Sequence, residues 1–133
     1  MSTEILDNIP LVLRNAIAIR ESSRNAKRNC LKILIELNPD ILTSHGEIPG
    51  GLISMLTIAV AEALATTSIQ SNKALLVVNH NVHFLKHPET LNDIEIESCT
   101  LSRGERILNI SSYTRCGETD VAYALSTFVV EGD

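Results

Sequence analysis

The segment Thr43-Ser-His-Gly-Glu-Ile-Pro-Gly-Gly51 runs straight into a small and apolar stretch, Leu52 to Ala65. A glycine pair opening a buried helix leaves backbone N–H groups free at the positive end of the helix dipole. Such groups can hold an oxygen anion or a polarised carbonyl. Gly50 and Gly51 are therefore the first candidates for a site. His45 and Glu47, in the loop beside them, are candidates for a base or an orienting group, and His45 could equally fix the loop through hydrogen bonds. Glu62 is the only charged residue in the stretch that follows. Two readings are open for it. An acid among so many apolar neighbours can have a raised pKa and do acid–base work. Alternatively, Glu62 caps the exposed helix end or pairs with a basic side chain across a subunit boundary.

Further along, Asn79, His80, Asn81 and His83 interrupt an otherwise aliphatic run. Strand alternation puts Asn79, Asn81 and His83 on one face and His80 on the other. Zinc needs three or four convergent ligands and no Cys or Asp joins this group, so no metal is expected. Asn81 and His83 read instead as substrate hydrogen-bonders or subunit contacts. Thr57 is a further substrate-contact candidate, although Thr57 and Ser54 on a helix also bond back to preceding carbonyls.

The elements that would position these residues can be read from periodicity. A chain of 133 residues is long enough for one domain with a real core. A lead-in over residues 1–15 holds a short helix or irregular segment ending near Pro10. A strand is expected at about 16–22, then a polar turn at Ser23-Arg-Asn25. At 28–37, Leu31, Ile33, Ile35 and Leu37 alternate with Lys32 and Glu36. The helix at about 50–68 is apolar in nearly every direction and must be covered nearly all round. Strands follow at about 73–86, 92–102, 105–116 and 119–131. Turns at Arg103-Gly-Glu105 and Cys116-Gly-Glu118 join the last three into an antiparallel meander. Ala122, Ala124 and Ser126 share one face of the last strand and leave room for a helix to lie close. The resulting fold class is α+β, with an antiparallel sheet wrapped around one long central helix.

Composition excludes several functions. The net charge of −5, with two Phe, two Tyr and no Trp, argues against nucleic-acid binding, which needs clustered positive charge or stacking rings. Arg24-Asn-Ala-Lys27-Arg28 reads as a solvated hairpin tip. Cys30, Cys99 and Cys116 are odd in number and widely spaced, with no C-x-x-C pair. They are expected to be free, apolar in character and in a reducing compartment. No signal peptide and no membrane span is expected, and the cytoplasm is the expected location. Asn109-Ile-Ser111 matches a glycosylation sequon inside a strand, where it is a chance match.

From about residue 16 to residue 130 the chain resembles the hotdog-fold thioesterases, in the PaaI-like and 4-hydroxybenzoyl-CoA thioesterase branch. That family's loop reads roughly Asn-Pro-His-Gly-x-x-His-Gly-Gly before the central helix. Thr43 to Gly51 matches it in register without a gap. Asn81-Val-His-Phe-Leu-Lys86 resembles the family's Asn-x-x-Phe-Leu-Arg/Lys strand, and Ser102-Arg-Gly-Glu-Arg106 and Ala124 to Val130 also fall in place.

The resemblance implies a single hotdog domain over 1–133, with Gly50 and Gly51 as the carbonyl-binding pair. A carboxylate about two turns into the helix would activate water or attack directly. Pro49 stands where the family usually has His, Ile58 where the helix acid should be, and Val77 where some members carry a strand Ser. The catalytic carboxylate therefore does not transfer, and Glu62, four residues beyond Ile58, is the substitute, with His45 as second candidate. Lys86, Arg103 and Arg106, with Arg115, are the cations that would meet coenzyme A phosphates. Ordinary solvated strand ends are the alternative for each. The implied function is hydrolysis of a small or medium acyl-CoA or acyl-carrier thioester, with no cofactor beyond coenzyme A as part of the substrate. The alternative is a non-catalytic acyl-CoA-binding or regulatory hotdog protein; a hydratase fits less well, because only His45 is available for the His and Asp pair it needs. A homo-oligomer is expected: the resemblance implies a homodimer, a dimer that in such domains is often paired again into a tetramer, and the choice between the two stays open.

Overall fold

The computed structural model describes Ile5, residues 7–87 and residues 93–132. A short helix α1 (Leu11–Arg14) leads into the hairpin β1 (Ile17–Asn25) and β2 (Cys30–Leu37), followed by a 3-10 turn at Pro39–Ile41. Helix α2 (Gly50–Thr66) comes next, then β3 (Ala74–Phe84), β4 (Ile94–Arg103), β5 (Ile107–Cys116) and β6 (Thr119–Glu131). The six strands form one sheet in the order β1-β2-β4-β5-β6-β3, every neighbouring pair antiparallel.

Alternation decides which face of the sheet receives α2. Ile33 and Ile35 on β2, Ile94 and Ile96 on β4, Leu108 and Ile110 on β5, and Phe128 on β6 are all fully or almost fully buried. They close on Leu56, Val60 and Leu64 of α2. Each such aliphatic side chain contributes about 1.5–3 kcal/mol relative to exposure. Ala59, Ala61, Ala63 and Ala65 are buried too, and Ala122, Ala124 and Ser126 face inward from β6. Small residues on both elements let the helix backbone approach the sheet. Ser98 and Ser112, opposite each other on β4 and β5, satisfy one another inside the core at 2.7 Å.

Several boundaries differ from the periodicity reading for identifiable reasons. Ser23 to Asn25 continue β1 instead of turning, because they pair with Lys32, Leu31 and Cys30. The turn falls one step later, at Ala26 to Asn29, where Asn29 takes φ 52°, a region Asn tolerates better than most residues. The expected strand start at residue 92 lies outside the described residues.

The cysteine expectation is corrected. Cys30 and Cys99 form a disulfide, and Cys116 is buried and stands outside that bond. The antiparallel register sets Cys30 directly opposite Cys99, a proximity that a sequence separation of 69 conceals. The expectation of a reducing compartment rested on free thiols and loses that support. No helix among the described residues is long and apolar enough to cross a membrane.

Candidate functional site

The start of α2 is built by its loop. Thr43 closes the loop on itself: its N–H donates to the Glu47 carbonyl at 2.8 Å and its carbonyl accepts from Gly46 N–H at 2.9 Å. Its hydroxyl accepts from the N–H groups of His45 and Glu47. Gly46 sits at φ +77°, which a residue with a side chain would occupy only under strain. The loop is therefore fixed by Thr43 and Gly46. The His45 ring is exposed and makes no hydrogen bond or ion pair with the described residues.

Pro49 is the residue before the helix, with φ −61° and ψ 135°, and no side chain caps the helix. Its carbonyl accepts from Leu52 N–H at 3.1 Å and from Ile53 N–H at 3.3 Å. The N–H groups of Gly50 and Gly51 find no acceptor among the described residues. Ser, Thr, Asp or Asn at this cap would have bonded one of the first free amides; proline leaves them open. Both glycines are exposed at the surface and do not face an enclosed hollow. A Cβ on Gly50 would come 3.2 Å from the Phe84 ring, whereas a Cβ on Gly51 would meet nothing within 4 Å. Beside Gly50 lies a pocket of about 340 Å³, walled by Ile48, Ile53, Phe84, Leu85 and Val121, with Lys86 and His87 at its margin. Apolar walls with free amides at one end suit an acyl group carrying a polar carbonyl.

A second polar assembly lies where α2 meets β3. Thr57 is fully buried; its hydroxyl donates to the Ser54 carbonyl at 2.8 Å and stands 3.2 Å from His80 Nε2. His80 Nδ1 stands 2.8 Å from the hydroxyl of Ser126. With the Thr57 proton committed to Ser54, His80 carries its own proton on Nε2, and Ser126 donates to Nδ1. Burial pushes the His80 pKa down, and a backbone hydrogen bond at Ser54 opposes that. His80 is thus held neutral, with both nitrogens engaged.

No protein-family model matches the chain, and no curated protein matches it by sequence. Solved structures do match it. A thioesterase from Haemophilus influenzae superposes with a TM-score of 0.81 at 13% identity, over 98% of this chain and 88% of that one. A phenylacetic acid degradation-related protein from Ralstonia eutropha gives 0.78 at 19% identity, over 91% and 90%. A Bacillus halodurans protein solved with CoA gives 0.76 at 11% identity, over 99% and 91%. The chain has the hotdog fold.

Placing the sequence candidates on this hotdog frame separates them. Gly50 and Lys86 come together at the pocket, with Gly51 exposed next to Gly50 outside its lining and Glu47 exposed in the adjoining loop. Asn81 and His83 do not join them. The β3–β6 pairing skips a residue between Val77 and Asn79, and this bulge reverses which side chains point inward. Leu75 and Val77 point in before it, His80 and Val82 after it, so Asn79, Asn81 and His83 face outward. His80 is the residue that sequence reasoning passed over, although its separation from the other three was visible.

Arg103 sits at the far end of α2, bonding the Ser68 carbonyl at 3.0 Å and the Gly104 carbonyl at 2.9 Å. Arg106 is exposed two positions after Gly104. Both lie a helix length from Gly50 and cannot serve the same phosphates as Lys86 of the same chain. Arg115 is paired with Asp120 at 3.1 Å.

Glu62 is half-buried on the least covered stripe of α2, which it shares with Gly51, Met55 and Ile58. Burial raises its pKa. Its carboxylate forms no hydrogen bond or ion pair with the described residues. At roughly 1.5 Å per residue it lies roughly 18 Å along the axis from Gly50. Within one chain it cannot reach a carbonyl held at Gly50.

Proposed function

We propose that the protein hydrolyses a small or medium acyl thioester, on coenzyme A or an acyl carrier, as a homodimer. The unoccupied N–H groups of Gly50 and Gly51 beside an apolar pocket carry this reading. The thioester oxygen docks on these amides and the acyl chain enters the pocket. As water attacks the carbonyl carbon, charge builds on that oxygen, and the free amides and helix dipole stabilise it. The carbon–sulfur bond then breaks, and the thiolate leaves to be protonated.

The base that takes the water proton in this scheme is the partner's Glu62. The open stripe of α2 supports that assignment. Packed two-fold against a copy of itself, with axes antiparallel, the stripe sets Glu62 of one helix near Gly51 of the other. The raised pKa suits a group that must accept a proton near neutral pH. Lys86 at the pocket margin is the proposed phosphate contact, and antiparallel pairing brings the partner's Arg103 and Arg106 towards the same end. The exposed Leu76, Val78 and Phe84 on edge strand β3 are further surface for the dimer to cover. A cytoplasmic location belongs to the proposal and requires the Cys30–Cys99 bridge to be reducible there.

The second reading is acyl-CoA binding without hydrolysis. Ile58 and Val77 at the family's polar positions favour it, as does a His80 with neither nitrogen free. A steady-state assay over acyl-CoA chain lengths separates the two. Turnover that disappears in Glu62→Gln supports hydrolysis, and turnover unchanged in that variant removes Glu62 from the mechanism. Binding with no turnover by the wild type supports the second reading.

A further inference from the structure

A second cluster lies on the sheet face turned away from α2. Cys30 on β2 stands opposite Cys99 on β4, with Cα atoms 4.1 Å apart. Glu97 precedes Cys99 by two positions, so both side chains leave β4 on the same side. One donor atom from each of Cys30, Glu97 and Cys99 lies within 4.8 Å of the other two. Lys32 occupies the register position facing Glu97. While the disulfide is intact the two sulfurs are bonded to each other and only the carboxylate can bind a cation. Reduction changes this. A thiol reductant supplies two electrons and two protons, the S–S bond breaks, and the reductant leaves as its own disulfide. Two thiols then stand beside the Glu97 carboxylate, and the Arg28 carbonyl, 3.5 Å from Cys30 Sγ, is an acceptor for one of them.

We propose that the reduced protein binds one thiophilic divalent cation of the zinc class through Cys30, Cys99 and Glu97. Two thiolates and a carboxylate, with water in the fourth position, form a tetrahedral set suited to such an ion. Zinc–sulfur bonds of about 2.3 Å place the sulfurs roughly 3.8 Å apart in a tetrahedron, a separation that rotation about the two Cα–Cβ bonds supplies. Binding releases both thiol protons. The ligands then carry one negative charge more than the cation neutralises, and Lys32 supplies the balance. Cys30 is buried, whereas Cys99 and Glu97 are half-buried, so the ion enters from the β4 side. The buried Cys116, on the opposite face of β5, does not belong to the cluster. The sheet separates this cluster from the pocket beside Gly50, so a cation here would not touch the acyl site.

The test is a titration of the whole protein with cobalt(II) and with cadmium(II), before and after treatment with a thiol reductant, with folding followed by circular dichroism. The expected result is one equivalent bound with sulfur charge-transfer absorption by the reduced form, and none by the oxidised form. Cys99→Ser should abolish that absorption. Glu97→Gln, which leaves the disulfide untouched, should weaken binding at least about tenfold, since even outer-shell partners are worth that much. Cobalt absorption in the oxidised protein, unchanged affinity in Glu97→Gln, retained absorption in Cys99→Ser, or loss of fold on reduction would each overturn the proposal.

Discussion

His80 shows how a single polar side chain joins three elements. Its ring ties Thr57 on α2 to Ser126 on β6 while standing on β3. Removing it strands the buried Ser126 hydroxyl, so His80→Ala should cost about 1–3 kcal/mol, measured by urea unfolding at pH 7. The pH dependence follows from the direction of its shift. The folded pKa lies below the ordinary value, so the unfolded chain takes up the proton first. This contribution is fully present above about pH 6.5 and is lost as pH falls towards the folded pKa. His80→Gln should flatten that slope. Glu62 has the opposite sign for stability. Its raised folded pKa means that the folded state disfavours the carboxylate, so stability declines as pH rises past about 4.3. Glu62→Gln should therefore unfold at a higher temperature than wild type at pH 7, with the gap closing near pH 4, even as it removes hydrolysis. Neither behaviour of His80 was legible in the sequence, because its inward direction depends on a bulge that shifts β3 by one residue, and local alternation carries no mark of it.

At the scale of elements, the loop and helix were legible because their signals are local. Thr43 to Gly51 and the apolar stretch after it mark the boundary of α2 to within two residues at either end. The disulfide was not, because only the pairing of β2 with β4 brings Cys30 to Cys99. What the structure adds at α2 is the part played by Pro49, which withholds the cap that would occupy the first amides. Pro49→Ser should supply that cap and stabilise the protein by about 0.5–2 kcal/mol, read by thermal unfolding, while weakening acyl-CoA binding. Gly51→Ala separates structure from function in the same way. A Cβ there meets nothing, so the fold should be kept or slightly stabilised. Binding should fall, because the methyl group occupies the approach to the amide. A variant of either kind that binds acyl-CoA as wild type does would place the ligand elsewhere.

For the whole molecule, one sheet covers α2 on all but one stripe, and that stripe holds Gly51, Ile58 and Glu62. The strand order leaves β3 as an edge with large apolar side chains exposed. The proposed dimer would cover both surfaces, and sedimentation at micromolar concentration should find it. A monomer there would leave Glu62 beyond reach of any carbonyl held at Gly50. Hydrolysis as proposed requires the two glycine amides to hold the thioester carbonyl. Amide NMR of the protein titrated with a non-hydrolysable acyl-CoA thioether ketone tests that most directly. Large downfield shifts of the Gly50 and Gly51 N–H resonances, saturating with the ligand, are the predicted result. Saturable binding that leaves those two resonances in place would contradict it.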